Sequence, residues 1–303
     1  MMSQKTKGFI YGIIAAVTYG MNPLFALPLY KAGMGTDSVL FYRYAIAIVM
    51  LGVLMKIQRV SFRIHKSEIL PLGVLGILFS CSSLFLFLSY NYMDAGIAST
   101  ILFIYPVMVA VIMAVFFREK LTLMTISCIV LALFGIGLLY EGPGGQTLST
   151  TGIIFVLLSS LTYAVYMVGL NRSKVSDMPV IKLTFYALLF GILIYVVRLN
   201  FGADLQVVAT PALWANVIAL ALFPTVISLI MITMAIQLIG STPTAILGAL
   251  EPVTAVFFGV LIFGEQLTPR ISSGIVIILV AVTLIIAGRP MLEFARTRIK
   301  RIH

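Results

Sequence analysis

Charge is what this chain has least of. Only 10% of its 303 residues are charged, against roughly a quarter in soluble domains, and that scarcity excludes a soluble globular fold. Cysteine is nearly absent. Cys81 and Cys128 both fall inside apolar runs, which excludes a disulfide framework and leaves two small buried hydrophobes. The two histidines, His65 and His303, lie in basic polar segments and are too few for a metal centre, so no metal is expected. No phosphate-binding loop is present. The glycine-rich stretch Glu141-Gly142-Pro143-Gly144-Gly145-Gln146 is too short and lacks the following Lys-Ser/Thr, so it reads as a turn. Nothing resembles a nucleotide-binding domain, and no cofactor is expected. Acidic residues are scarce as well: Asp and Glu number 10 against 20 Lys and Arg, a net charge of +10.

Such a basic excess suits nucleic acid or a membrane surface. Position decides for the membrane, because the charges lie almost entirely in short loops and tails between apolar spans. Hydrophobic residues make up 61% of the chain, and mean hydropathy is +1.13. Ten apolar runs of crossing length are found, at about 8–30, 37–55, 69–90, 95–117, 121–140, 151–171, 180–198, 212–236, 241–263 and 270–288. They are too long for barrel strands, and the backbone of a lipid-exposed span must satisfy itself, so all ten are predicted to be helices. The first run follows Lys5 and Lys7 like a signal peptide. It continues through Pro23 and Pro28 to Lys31 and has a counterpart later in the chain, so it is read as a span.

Lys and Arg set the orientation. With the N-terminus in the cytoplasm, sixteen of the 20 fall on the cytoplasmic side and Lys31, Arg198 and Arg270 on the other, leaving Arg43 within the membrane. Both termini are therefore expected in the cytoplasm. The basic tail 289–303 suits anionic headgroups, so the lipid bilayer is the expected partner and nucleic acid is not.

The chain repeats itself. A shift of 144 residues lays Gly8 on Gly152, Thr18-Tyr19 on Thr162-Tyr163 and Phe41-Tyr42 on Phe185-Tyr186. A shift of 146 lays Pro106-Val107 on Pro252-Val253, Glu119 on Glu265 and Leu121-Thr122 on Leu267-Thr268. Two five-helix copies follow, 8–140 and 151–288, joined by a linker at 141–150. An odd number of spans turns the second copy over, an arrangement common in secondary transporters with a midplane site. The expected fold is an all-α polytopic membrane protein of ten transmembrane helices, two inverted five-helix repeats around a central cavity.

A few polar residues stand out within the spans. Glu251 lies about nine residues into the ninth run, roughly 14 Å deep in a core of ~30 Å. A carboxylate there costs about 2.5–3.5 kcal/mol on insertion scales and marks a functional position by default. It binds an amino or cationic group, carries a coupling proton, or pairs structurally with a neighbouring helix. Arg43 attracts an anionic group of the substrate, pairs with Glu251, or snorkels to the interface. Asn22 bonds substrate or joins two helices. Tyr105 occupies the place related by repeat to Glu251, and Tyr19 and Tyr163 are related to each other; all three are candidate walls of the site. Pro23, Pro106, Pro224 and Pro252 interrupt spans and suit either bending or static kinks. Tyr90, Asn91 and Tyr92 read as an interfacial belt.

Leu250-Glu251-Pro252-Val253 followed by Gly264-Glu265-Gln266-Leu267-Thr268, with Pro106-Val107 and Glu119-Lys120-Leu121-Thr122 matching it in the first copy, resembles the EamA family of the drug/metabolite transporter superfamily. Phe41-Tyr42-Arg43-Tyr44 is similar to the start of that family's second helix. Where members often carry Trp-Gly in the first helix, this chain has Tyr19-Gly20-Met21-Asn22-Pro23. The resemblance implies a basket of helices around a cavity, residence in a bacterial inner membrane, and efflux or exchange of small-molecule substrates such as amino acids. A carrier of nucleotide sugars or phosphorylated metabolites is the alternative, though it wants more intramembrane cations than Arg43. An intramembrane enzyme is disfavoured by the single acid and the lack of an intramembrane histidine, and a channel by the two unequal halves. A homodimer is allowed.

Overall fold

A computed structural model of the chain describes residues 3–118, 123–139, 149–239, 244 and 247–299. The expected linker lies almost wholly outside the described residues, and Glu119, Ser241-Thr242-Pro243 and the side chains of the basic tail wholly so. Among the described residues the regular structure is entirely helical. The first copy comprises α1 (Gln4–Gly20), α2 (Asn22–Lys31), α3 (Thr36–Ile57), α4 (Lys66–Ser89), α5 (Ala95–Leu102), α6 (Tyr105–Phe117) and α7 (Leu123–Leu139). The second comprises α8 (Thr150–Arg172), α9 (Val180–Arg198), α10 (Pro211–Ala221), a π-helical turn (Leu222–Ile227), α11 (Ser228–Ile239), α12 (Leu250–Phe263) and α13 (Pro269–Ile299). Seven helices are long and apolar enough to cross a membrane, and Ile126–Leu139, Leu250–Phe263 and Pro269–Leu284 are shorter apolar helices. Together they account for ten spans. The face where α1 begins is called the near face below, and the opposite one the far face.

Four expected helices are interrupted, each at a proline. Proline lacks the N–H that would bond the carbonyl four residues back, and in every case the freed carbonyl finds another donor. Asn22 Nδ2 donates to Tyr19 O at 2.9 Å beside Pro23. Ser160 Oγ, from α8, donates to Leu102 O at 3.1 Å beside Pro106. Thr225 Oγ1 donates to Leu220 O at 3.2 Å beside Pro224. Glu251 N donates to Gly248 O at 2.9 Å beside Pro252. An unpaired carbonyl is expensive in an apolar interior, so these substitutes are what make the breaks tolerable. The breaks before Pro106 and Pro252 correspond between the copies. Those at Pro23 and Pro224 do not, because α8 and α4 run unbroken through the corresponding positions.

The duplication is also visible in the packing. Ser228 Oγ of α11 donates to Ala15 O of α1 at 3.0 Å. Ser82 Oγ of α4 donates to Ser159 O of α8, also at 3.0 Å. Both partners are related by the sequence offsets, so the same bond joins the same two helices in each direction. Small residues allow close approach where apolar burial supplies little drive between helices. A Cβ added at Gly76 would lie 2.6 Å from Ala187 O, and one at Gly191 would overlap Ser80 Oγ, so α4 and α9 meet backbone to backbone. Large apolar side chains such as Leu70, Phe116, Leu123 and Val276 are exposed on the outside of the bundle, the surface a bilayer would cover. At the far face the Arg198–Asp37 bidentate pair and Tyr42 Oη donating to Gln206 O at 3.0 Å tie the copies together.

Candidate functional site

The candidate site starts from a helix end rather than a helix middle. The ninth span is expected to bend or kink at Pro252 with Glu251 mid-helix; instead the chain turns at Gly248-Ala249 and α12 begins at Leu250. Pro252 forces that break. Glu251 therefore stands in the first turn of a half-helix, where unpaired N–H groups favour negative charge. Its backbone approaches α1 so closely that a Cβ at Gly20 would overlap Glu251 O and sit 2.7 Å from Thr254 Cβ. Gly20 is thus required by proximity.

Around the carboxylate lies a cavity of about 20 Å³ lined by Tyr19, Asn22, Tyr90, Ser99 and Leu102 as well as Glu251. That is room for about one water-sized group. Two buried polar atoms on these lining residues make no close hydrogen bond: Asn22 Oδ1, and Tyr90 Oη, which has the Ser99 hydroxyl as a polar neighbour. Asn22 is 2% exposed and Tyr90 7%, so both atoms are withdrawn from bulk water. Buried polar groups normally find partners. Two such atoms are left open beside one acid.

Asn22 was expected to bond substrate or join helices. Its Nδ2 instead closes the break onto Tyr19 O within its own span, leaving the oxygen open. Tyr90 corrects the belt reading. Tyr92 is exposed as a belt residue would be, whereas Tyr90 is buried. It follows α4 on the face that carries Phe79, Ser83 and Leu86, all buried, and that three-and-four spacing was the signal available in the sequence.

The repeat-related tyrosines converge on the same region. Tyr19 lies within electrostatic reach of both Glu251 and Arg43, and Tyr105 and Tyr163 within reach of Glu251. Tyr105 meets Tyr163 edge to face at 4.8 Å, and Tyr163 stacks on Tyr166 at 5.9 Å. Phe79 continues the series at 5.4 Å from Tyr166. Pairs at these separations are mutually attractive beyond their burial, so the wall is a coherent aromatic surface.

Arg43 is 2% exposed and does not snorkel. Its Nε–H donates to Thr225 Oγ1 at 2.9 Å, and its guanidinium carbon lies 5.1 Å from the Phe87 ring centre, within cation–π range. Thr225 thus serves both the carbonyl freed by Pro224 and the guanidinium. Arg43 does not pair with Glu251; among the described residues the one ion pair joins Arg198 and Asp37. Nor is any acceptor other than Thr225 bonded to the guanidinium there.

The EamA-like transporter family profile matches residues 6–141 and again residues 150–287. The chain belongs to the EamA-like transporter family. It is 24% identical over 274 residues to the uncharacterized transporter YcbK of Bacillus subtilis (strain 168), covering 87% of this chain and 88% of that one. To the uncharacterized transporter YxxF of the same organism it is 24% identical over 292 residues, 94% and 91% of the two chains. An uncharacterized transporter of Archaeoglobus fulgidus is 23% identical over 253 residues, 82% and 87%. A solved crystal structure superposes with a TM-score of 0.65 at 15% identity, over 93% of this chain and 96% of that one, a likeness of fold. This EamA-like protein is therefore a multi-pass membrane transporter of the drug/metabolite type.

Proposed function

We propose that this EamA-like protein is a secondary carrier of small amine-bearing metabolites such as amino acids, working by alternating access. The observation that carries this reading is the trio of oxygens at the one-group cavity: the Glu251 carboxylate and the unpartnered Asn22 Oδ1 and Tyr90 Oη. A primary ammonium has three N–H donors and one positive charge, which that trio complements. Arg43 has donors to spare for a substrate carboxylate, and Tyr19 lies within electrostatic reach of both charges. Tyr105 and Tyr163 form the wall against which the rest of the solute packs. Glu251 is also the candidate to carry a coupling proton when no ammonium is present. A phosphorylated solute would bring up to about two negative charges to a site with one buried cation.

On this reading the two copies, 8–140 and 151–288, rock about the site with their prolines as bending points, and the linker at 141–150 joins them. The loop charges favour both termini in the cytoplasm, and the family likeness favours a bacterial inner membrane with efflux or exchange as the direction. A solute panel in proteoliposomes tests it, with and without a pH gradient. Amino acids and primary amines compete with one another for uptake, and their N-acetylated counterparts do not. Equal competition by the acetylated compounds would remove the ammonium from the account.

A further inference from the structure

A second acid is built into the molecule away from the Glu251 cavity. Glu265 lies in the loop between α12 and α13, beyond the spanning helices, at the far face. Its Oε1 accepts from Ala95 N–H at 2.9 Å and its Oε2 from Gly96 N–H at 3.2 Å. These amides open α5 and have no intrahelical acceptor, and the Asp94 side chain at the N-cap makes no capping bond. An acid of the second copy thus caps a helix of the first. Two glycines make its seat. A Cβ at Gly96 would lie 2.8 Å from Oε2, and one at Gly259 of α12 would overlap the carboxylate outright.

A vestibule of about 350 Å³ opens beside the seat, lined by Tyr30, Lys31, Tyr90, Asn91, Asp94 and Glu265. Tyr90 borders both this vestibule and the Glu251 cavity. The same short helix that Glu265 caps carries Ser99 and Leu102 on the inner cavity wall. The Glu251 cavity and the far-face vestibule thus adjoin at Tyr90 and α5.

We propose that Glu265 is the positioning residue of the far gate: seated between Gly96 and Gly259 it holds α5 against α12 over the Glu251 cavity, and solute passes only when the carboxylate leaves that seat. This rests on the alternating-access reading above. The groups facing Glu265 are Asp94, the two α5 amides and the vestibule residues Lys31, Tyr30 and Tyr90. Among the described residues no ion pair joins Lys31 to it; the ammonium lies 5.1 Å from the Phe263 ring centre. Burial first, and then Asp94, push the Glu265 carboxyl up to about 7, and the two amides offset only part of this. Burial raises Asp94 itself as well.

Released into water, the Glu265 carboxyl returns to the ordinary carboxylate range. The seated form then binds a proton more tightly than the released form. Acid on the far face favours the closed gate and alkali the open one, by at most about tenfold per pH unit between the two values. The proton returns to the face it came from, so the gate senses pH without moving charge across the membrane.

Thiol labelling reads the gate without any substrate. The full chain carrying Ser99→Cys, with Cys81→Ala and Cys128→Ala, is placed in oriented proteoliposomes and treated with an impermeant maleimide at the far face. With Glu265 intact, labelling is slow at about pH 5.5 and several-fold faster at about pH 8.5, after correction for thiolate content. Gly259→Ala evicts the carboxylate by pushing only the end of a flexible side chain, and it labels fast at both. Glu265→Gln flattens the profile, and Asp94→Asn moves its midpoint down. Gly73→Ala, whose Cβ meets nothing within 4 Å, behaves as the parent. Slow parental labelling in Gly259→Ala, or a retained profile in Glu265→Gln, would overturn the gate. Absence of transport in the unsubstituted chain, with the labelling pattern intact, would instead overturn the carrier reading alone.

Discussion

At the scale of single residues, some buried polar atoms are fully satisfied and others are left open. Thr225 is a doubly committed hydroxyl in the interior. It donates to Leu220 O and accepts from Arg43 Nε. Thr225→Val removes both partners at once and is expected to cost about 1–3 kcal/mol, read as a lowered Tm in detergent, while Thr225→Ser keeps most of the stability. A Tm for the valine variant equal to the parent's would mean that Arg43 is held by something else. Glu251→Gln keeps the shape of the cavity and removes its charge. A hydrogen bond to a charged group is worth about 1.5–3 kcal/mol, so apparent affinity for a primary amine should fall roughly 10- to 100-fold in a transport assay while Tm stays level or rises. The sequence shows Glu251, Arg43 and Asn22 as exceptional because each is polar within an apolar run. It cannot show that Arg43 selects Thr225 over Glu251, since that choice is made by helices 182 residues apart.

At the scale of elements, the prolines are the legible features. Pro23, Pro106, Pro224 and Pro252 each lie in an apolar run and each coincide with a real break or π-helical turn, whereas Pro28 and Pro71 stay inside continuous helices. What replaces the lost hydrogen bond is not legible, because two donors come from the adjacent residue, one from another helix and one from a neighbouring backbone amide. Pro252→Ala returns an N–H able to bond Gly248 O, in competition with Glu251 N. It is expected to straighten the ninth span and to slow turnover several-fold with little change in Tm. Unchanged turnover would make that break a static kink. Glycine contacts give a prediction of the opposite kind. Gly191→Ala drives a Cβ into Ser80 Oγ and within 2.8 Å of Gly76 O, and overpacking of this sort costs about 1–3 kcal/mol. Its Tm should fall clearly below that of Gly73→Ala, where the added Cβ meets nothing within 4 Å.

At the scale of the whole molecule, ten spans and an internal duplication follow from apolar length and from a nearly constant offset. The Ser228–Ala15 and Ser82–Ser159 bonds show that offset realised in packing. Departures from symmetry were harder to read, because Glu251 and Tyr105 are matched in position but not in chemistry. That asymmetry gives one cavity one acid. Counterflow in proteoliposomes tests the central claim, that Glu251 serves a solute site reached from both faces in turn. Liposomes loaded with an unlabelled amino acid that the solute panel identifies should accumulate the labelled compound transiently, and Glu251→Gln should abolish the overshoot. An overshoot of parental size in Glu251→Gln, or equilibration without any overshoot in the parent, would contradict the account.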